Sequence, residues 1–172
     1  MKYITFFIGL LFLLTAAYVV NAETKTAKAF LANPKGENVG VATLIEGKDG
    51  VRIALQVYNL SPGLHGFHIH AVGKCEPPDF KSAGGHFNPY EKHHGLKNPE
   101  GLHAGDMTNI LVEPDGTASV VLLAPLVTFA AGKNSLFQPE GTALVVHAGA
   151  DDQASDPSGN SGDRIACGVI TK

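Results

Sequence analysis

Seven of the chain's eight histidines lie between positions 65 and 103, and the eighth, His147, closes a short apolar run near the C-terminus. Neutral imidazole is the commonest side-chain ligand for transition metals, so this density predicts a centre holding more than one ion. His68-Ile69-His70 places two imidazoles at i and i+2, on one face of an extended segment. His86, His94, His103 and Asp106 follow on a stretch rich in Gly, Pro and Asn, and a carboxylate ends the series.

These residues divide into two sets. His68, His70, His86 and His147 offer nitrogen only, which favours copper or zinc, and Cu(II) accepts a flattened tetragonal group of imidazoles. His86, His94, His103 and Asp106 offer three nitrogens and one oxygen, which suits a closed tetrahedral zinc site of structural type. His86 belongs to both, because one ring has two nitrogens and Gly84-Gly85 lets the backbone before it approach closely. An isolated His-x-His pair also fits two satisfied core residues; the loop cluster is what turns it towards metal. His65 and His93 are left over. His65 reads as a polar residue ahead of the strand, and recruiting His93 would break the eight-residue step from His86 to His94.

Most of the chain that must position these ligands alternates with period two. Strands are predicted at Thr26–Leu31, Val39–Leu44, Val51–Tyr58, Gly66–His70, Asp106–Val112, Thr117–Leu123, Thr142–His147 and Arg164–Ile170. Turn signals such as Asn33-Pro34-Lys35-Gly36, Gly47-Lys48-Asp49-Gly50 and Pro114-Asp115-Gly116 separate them. Eight short strands predict an all-β antiparallel sandwich or barrel around one core. Residues 71–105 and 148–163 break the rhythm. Loops of that length in a compact domain are usually functional or disordered, and metal and disulfide bonding would order these two.

The chain begins with Lys2, an apolar stretch from Ile4 to Val20, and Val20-Asn21-Ala22 before Glu23. This predicts a cleaved secretory signal over residues 1–22; a permanent anchor is the competing reading, and the stretch is short for a span of about 20 residues. Residues 23–172 then form a single domain with 12 basic and 16 acidic residues, net −4. No basic cluster points to nucleic acid, and no apolar run in this part is long enough to cross a bilayer. In an exported domain, Cys75 and Cys167 read as one disulfide. Closing a loop of about 90 residues stabilises by roughly 4–5 kcal/mol in the chain-entropy model. The alternative is that Cys75 is a further metal ligand.

Several motifs together resemble those of the copper/zinc superoxide dismutase family. They are Gly66-Phe67-His68-Ile69-His70, Ser82-Ala83-Gly84-Gly85-His86-Phe87-Asn88-Pro89, His103-Ala104-Gly105-Asp106, Val145-Val146-His147 and the run from Gly162 to Ile170. The similarity covers about residues 27–170. It implies an eight-stranded Greek-key barrel with two long functional loops, and dismutation of superoxide to oxygen and hydrogen peroxide by copper redox cycling. By position it implies one copper on His68, His70, His86 and His147, and one zinc on His86, His94, His103 and Asp106, with His86 as the bridge. It also implies a Cys75–Cys167 disulfide, Arg164 as the active-site arginine that draws in the anion, and Asp151 as a carboxylate orienting a copper-ligand and a zinc-ligand histidine. Asp152 reads as solvent-facing.

Every ligand position is filled, which sets this chain apart from two rival classes. A copper-delivery or metal-storage domain on the same fold would typically lack a copper ligand or the arginine. A zinc-stabilised structural sandwich would leave His68, His70 and His147 without a purpose. One departure concerns substrate steering: no Lys or Arg lies between Asn134 and Asp163, so Lys74, Lys81, Lys92 and Lys97 on the other long loop are the candidate substitutes. The signal and single disulfide fit a periplasmic or secreted protein. Monomer and homodimer both stay open.

Overall fold

Alternation in the sequence becomes alternation in burial. Strand β1 (Thr26–Ala32) turns Ala27, Ala29 and Leu31 inward, and β3 (Gly50–Val57) does the same with Val51, Ile53, Leu55 and Val57. Between them β2 (Asn38–Gly47) contributes Val39, Ala42 and Leu44. Polar Lys28, Arg52 and Gln56 occupy the outward positions. In the computed structural model the described residues are 25–172; the predicted signal peptide lies outside them.

The remaining strands are β4 (Gly63–His65), β5 (Phe67–His70), β6 (Ile110–Val112), β7 (Ala118–Ala124), β8 (Ala143–His147) and β9 (Arg164–Val169). Seven of them form one antiparallel sheet in the order β5-β8-β9-β1-β2-β3-β7, and β4 pairs with β6 in a second. Because β6 also lies against β7, the two sheets curl into one all-β barrel with Greek-key crossovers. The sequence predicts eight strands, and the described residues hold nine. The extra strand is β4, which lies ahead of the strand predicted from Gly66 and pairs in the small sheet before the chain enters the large one as β5. The predicted strand at Asp106–Val112 is also shorter, because the residues before Ile110 are bonded into the metal loops instead of a ladder.

Two strands are buried on both faces. In β5, Phe67 and Ile69 enter the main core while His68 and His70 face the other way, and all four are almost inaccessible. In β8, Leu144 and Val146 enter the core; Ala143 and Val145 pack on Phe80, Ala83 and Cys167 beneath the first long loop. Burying each large apolar side chain contributes about 1.5–3 kcal/mol. A one-residue slip of β5 would exchange Phe67 and Ile69 for two histidines, so the core fixes the register that aims the ligands.

Cys75 and Cys167 are bonded, with a Cα–Cα separation of 5.6 Å across 92 residues of sequence. Cys75 is therefore not a metal ligand. The bond ties the first long loop to β9, next to Ala32 and Val145 on the neighbouring strands. Replacing both cysteines by serine is predicted to lower the stability of the metal-free protein by about 4–5 kcal/mol, read as a lower urea midpoint with a steeper slope as the uncrosslinked denatured chain expands.

Candidate metal centre

The free edge of β5 is where the first long loop folds back. Ile69 donates its N–H to Gly105 O and accepts at its own carbonyl from Phe87 N, while Ala71 donates to Gly85 O. This lays His86 alongside His70 and Asp106 alongside His68. Gly105 is required by contact: a side chain there would overlap the Ile69 carbonyl. β8 lies against the other edge of β5 and ends in His147. Two neighbouring strands and one folded-back loop thus place six imidazoles in one buried cluster.

Hydrogen bonds on the far side of each ring select the nitrogen that faces inward. His68 donates from Nε2 to Asp151 Oδ2 at 2.7 Å, leaving Nδ1 buried with no partner. His70 donates from Nδ1 to Gly84 O, and His147 from Nδ1 to Gly162 O, so both turn Nε2 inward, 3.4 Å from each other. His86 presents Nε2 to this group, again buried and unpartnered. Its other nitrogen, Nδ1, lies 2.9 Å from Asp106 Oδ1. Around that oxygen gather His94 Nδ1 at 3.1 Å and His103 Nδ1 at 3.2 Å. Asp106 Oδ2 is occupied by the backbone N–H groups of Gly95 and His103, which frees Oδ1 for the cluster.

The result is two four-donor sets, His68/His70/His86/His147 and His86/His94/His103/Asp106, each with donor atoms within 4.8 Å of one another. The first is all nitrogen and the second three nitrogens and an oxygen, as copper and zinc sites require. Two orphaned ring nitrogens in a buried site are costly unless a cation uses them, so the residues fit the ions.

Asp151 joins the two sets from outside. It accepts from His68 Nε2 with one oxygen and from His94 Nε2 with the other, at 2.7 and 3.0 Å. A third donor, Gln153 N, completes it. The backbone of Asp151 is gripped at both its N–H and its carbonyl by the Asn109 side chain. At Gly159, where φ is +62°, any side chain would overlap the Asp151 carboxylate. Asn109 and Gly159 escape a reading of ligand types and spacings, since neither offers an ion anything. Asn109 signals itself only as a polar residue interrupting the apolar alternation before Ile110.

Arg164 opens β9 with its guanidinium fixed at two points, Nη1 to Phe80 O and Nη2 to Gly84 O, both 2.6 Å. It lines a surface cavity with Pro78, Asp79, Lys81, Gly162 and Asp163. The leftover residues behave differently from one another. His65 is buried, bonded to the carbonyls of His147 and Ser61, and belongs to β4. His93 is exposed and paired with Asp156. Asp152 is exposed as expected, and its carboxylate also caps its own loop by accepting from Ala154 N, Ser155 N and Asn160 Nδ2.

A barrel with two adjoining metal-type donor sets sharing one imidazole defines a narrow class. Residues 38–170 match the family model described as copper/zinc superoxide dismutase, and the chain belongs to that family. It is 55% identical over 156 residues to a superoxide dismutase [Cu-Zn] of Aquifex aeolicus, covering 90% of this chain and 92% of that one. Its structure is similar to a double mutant of a superoxide-dismutase-like protein from Bacillus subtilis, carrying Tyr-to-His and Pro-to-His changes (TM-score 0.82, 43% identity, 84% of this chain and 97% of that chain). It is also similar to the Cu/Zn superoxide dismutase of Brucella abortus (TM-score 0.67, 33% identity, 86% of this chain and 99% of that chain).

Protonation of the metal-free cluster follows from burial and charge. Burial, only partly opposed by Asp106, lowers His86 to about 4, and burial lowers His147 to about 4. His68 and His70 also lie below the ordinary value of 6.5, through burial first. In His94 burial is outweighed by Asp106 and Asp151, which raise it to about 9. The four lowered rings are neutral in the folded chain while unfolded ones take protons below 6.5, so their cost appears as pH falls from about 6.5 towards 4. His94 acts oppositely: its stabilisation is complete below 6.5 and is lost as pH rises towards 9. Metal-free protein is therefore predicted to be most stable near pH 6.5. Urea midpoints measured from pH 4 to 9 check this, and a flat profile contradicts it.

Proposed function

We propose that this chain is a copper/zinc superoxide dismutase, converting two superoxide anions and two protons into dioxygen and hydrogen peroxide. One observation carries the reading: the two nitrogens of His86 face two different donor sets. In this reading His68, His70, His86 and His147 hold copper, and His86, His94, His103 and Asp106 hold zinc. Copper, when bound, supplies the one-electron cycle that oxidises one superoxide and reduces the next.

The chain's own residues handle the anion and its protons. Arg164 binds superoxide by charge and hydrogen bonding, its guanidinium held rigid by the carbonyls of Phe80 and Gly84. His86 Nε2 takes up a proton in the first half-reaction and gives it to the reduced oxygen in the second, with the other proton drawn from water. His86 Nδ1, His94, His103 and Asp106 would hold zinc, which would offset the charge left on the His86 ring when Nε2 is deprotonated. Asp151 orients His68 and His94 together, so the two sets keep a fixed spacing.

Residues 1–22 act as a secretory signal and the mature protein works in the periplasm or outside the cell, a reading supported by the charge-then-apolar pattern and by the disulfide. The test of function is superoxide consumption by purified protein with one copper and one zinc per chain, compared with protein given zinc alone. Activity that requires copper and falls sharply in Arg164→Ala is expected; inactive, fully loaded protein with Arg164 intact refutes the reading.

Among the four candidate steering lysines, Lys81 shares the cavity with Arg164, whereas Lys97 lines a different one beside Thr108 and Gln153. Lys81→Glu is predicted to lower kcat/KM about tenfold at low ionic strength and to flatten its salt dependence. An unchanged rate and salt slope would remove Lys81 from the steering role.

A further inference from the structure

The two long loops run side by side behind the zinc set, and each crossing contact falls on a named atom. His94 Nε2 donates to Asp151, Lys97 N to Gln153 O, and Asn98 Nδ2 to Ala154 O. A fourth contact lies at the far end. Asp156 accepts the backbone N–H of His94 at 2.6 Å with Oδ1 and the Nδ1–H of His93 at 2.6 Å with Oδ2.

We propose that Asp156 is a positioning residue for zinc, clamping the backbone of His94 from the second long loop so that the ring's Nδ1 stays aimed at the ion. The inference rests on His94 being a zinc ligand. A ligand ring is fixed only when both its backbone and its outer nitrogen are fixed. Asp151 holds the outer nitrogen, and Asp156 holds the backbone. The next N–H, of Gly95, points at Asp106, so two successive amides are gripped by two carboxylates. No strand ladder includes residues 93–98, and these carboxylates take its place. Both bonds to Asp156 are charge-assisted and short. His93 thereby gains a purpose: it holds Asp156 from the opposite side, with Glu100 3.5 Å from its other nitrogen.

Zinc affinity of the full chain, measured by competition with a chromophoric chelator, tests the clamp together with hydrogen exchange at the His94 amide. Outer partners of metal ligands are typically worth 10–100-fold in affinity, so Asp156→Ala is expected to weaken zinc binding about tenfold and to speed His94 exchange. The urea midpoint of the metal-free chain falls modestly, as the loss of two hydrogen bonds requires. Asp156→Asn, which keeps an oxygen acceptor, restores most of the affinity, and His93→Ala costs less than Asp156→Ala. Unchanged zinc affinity in Asp156→Ala overturns the clamp, as does an equal loss in His93→Ala or a failure of Asp156→Asn to restore affinity. His94→Gln separates the layers: if it weakens zinc while Asp156→Ala does not, the clamp alone fails. If it leaves zinc binding intact, the ligand assignment fails and the clamp with it.

Discussion

A four-residue strand buried on both faces is the constraint on which the centre depends. Phe67 and Ile69 are committed to the barrel core, so the intervening positions must face the opposite side, and those positions are His68 and His70. The apolar pair thus does for metal binding what no hydrogen bond to an imidazole can do alone: it removes the freedom of the backbone to present anything else there. β8 repeats the arrangement with Leu144 and Val146 beneath His147. The ligands inherit their precision from hydrocarbon packing one residue away, and regular elements hold such geometry better than loops do.

What packing cannot set is which nitrogen each ring offers, and here the polar surroundings take over. The carbonyls of Gly84 and Gly162 and the carboxylate of Asp151 each occupy one ring nitrogen and leave the other bare. Asp106 divides its own oxygens in the same manner, one for backbone amides and one for the cluster. Asp151 differs because it serves a ring in each set, so the geometry of one ion's ligands is felt by the other's. Loops poor in secondary structure become rigid through these bonds, which explains how two segments of low regularity can carry a buried centre.

The sequence reveals much of this because both period-two alternation and the chemistry of imidazole are local properties. The strands, the His68/His70 pair, the cluster on the first loop and the wide cysteine pair could all be read from residue type and spacing. Three things could not. The short strand β4 depends on which neighbour it finds, β6, so in the sequence Gly63–His65 reads only as a turn end and a polar residue ahead of the strand that starts at Gly66. Asn109 and Gly159 matter through what they touch, Asp151, and that contact brings together residues far apart in the chain. His93 stands outside the ligand spacing, and its partner Asp156, which also holds the neighbouring His94, lies 63 positions away.

The Gly84 carbonyl accepts from two donors that belong to different tasks, His70 Nδ1 and Arg164 Nη2. One donor orients a ring of the buried cluster; the other is the cation that lines the neighbouring surface cavity. Sharing an oxygen atom couples the two: a shift of the Gly84 carbonyl is felt by the ring and by the guanidinium alike. If Arg164 receives the anion as proposed, that anion meets a cation already tethered to the backbone beside the histidine cluster, held in place before anything binds.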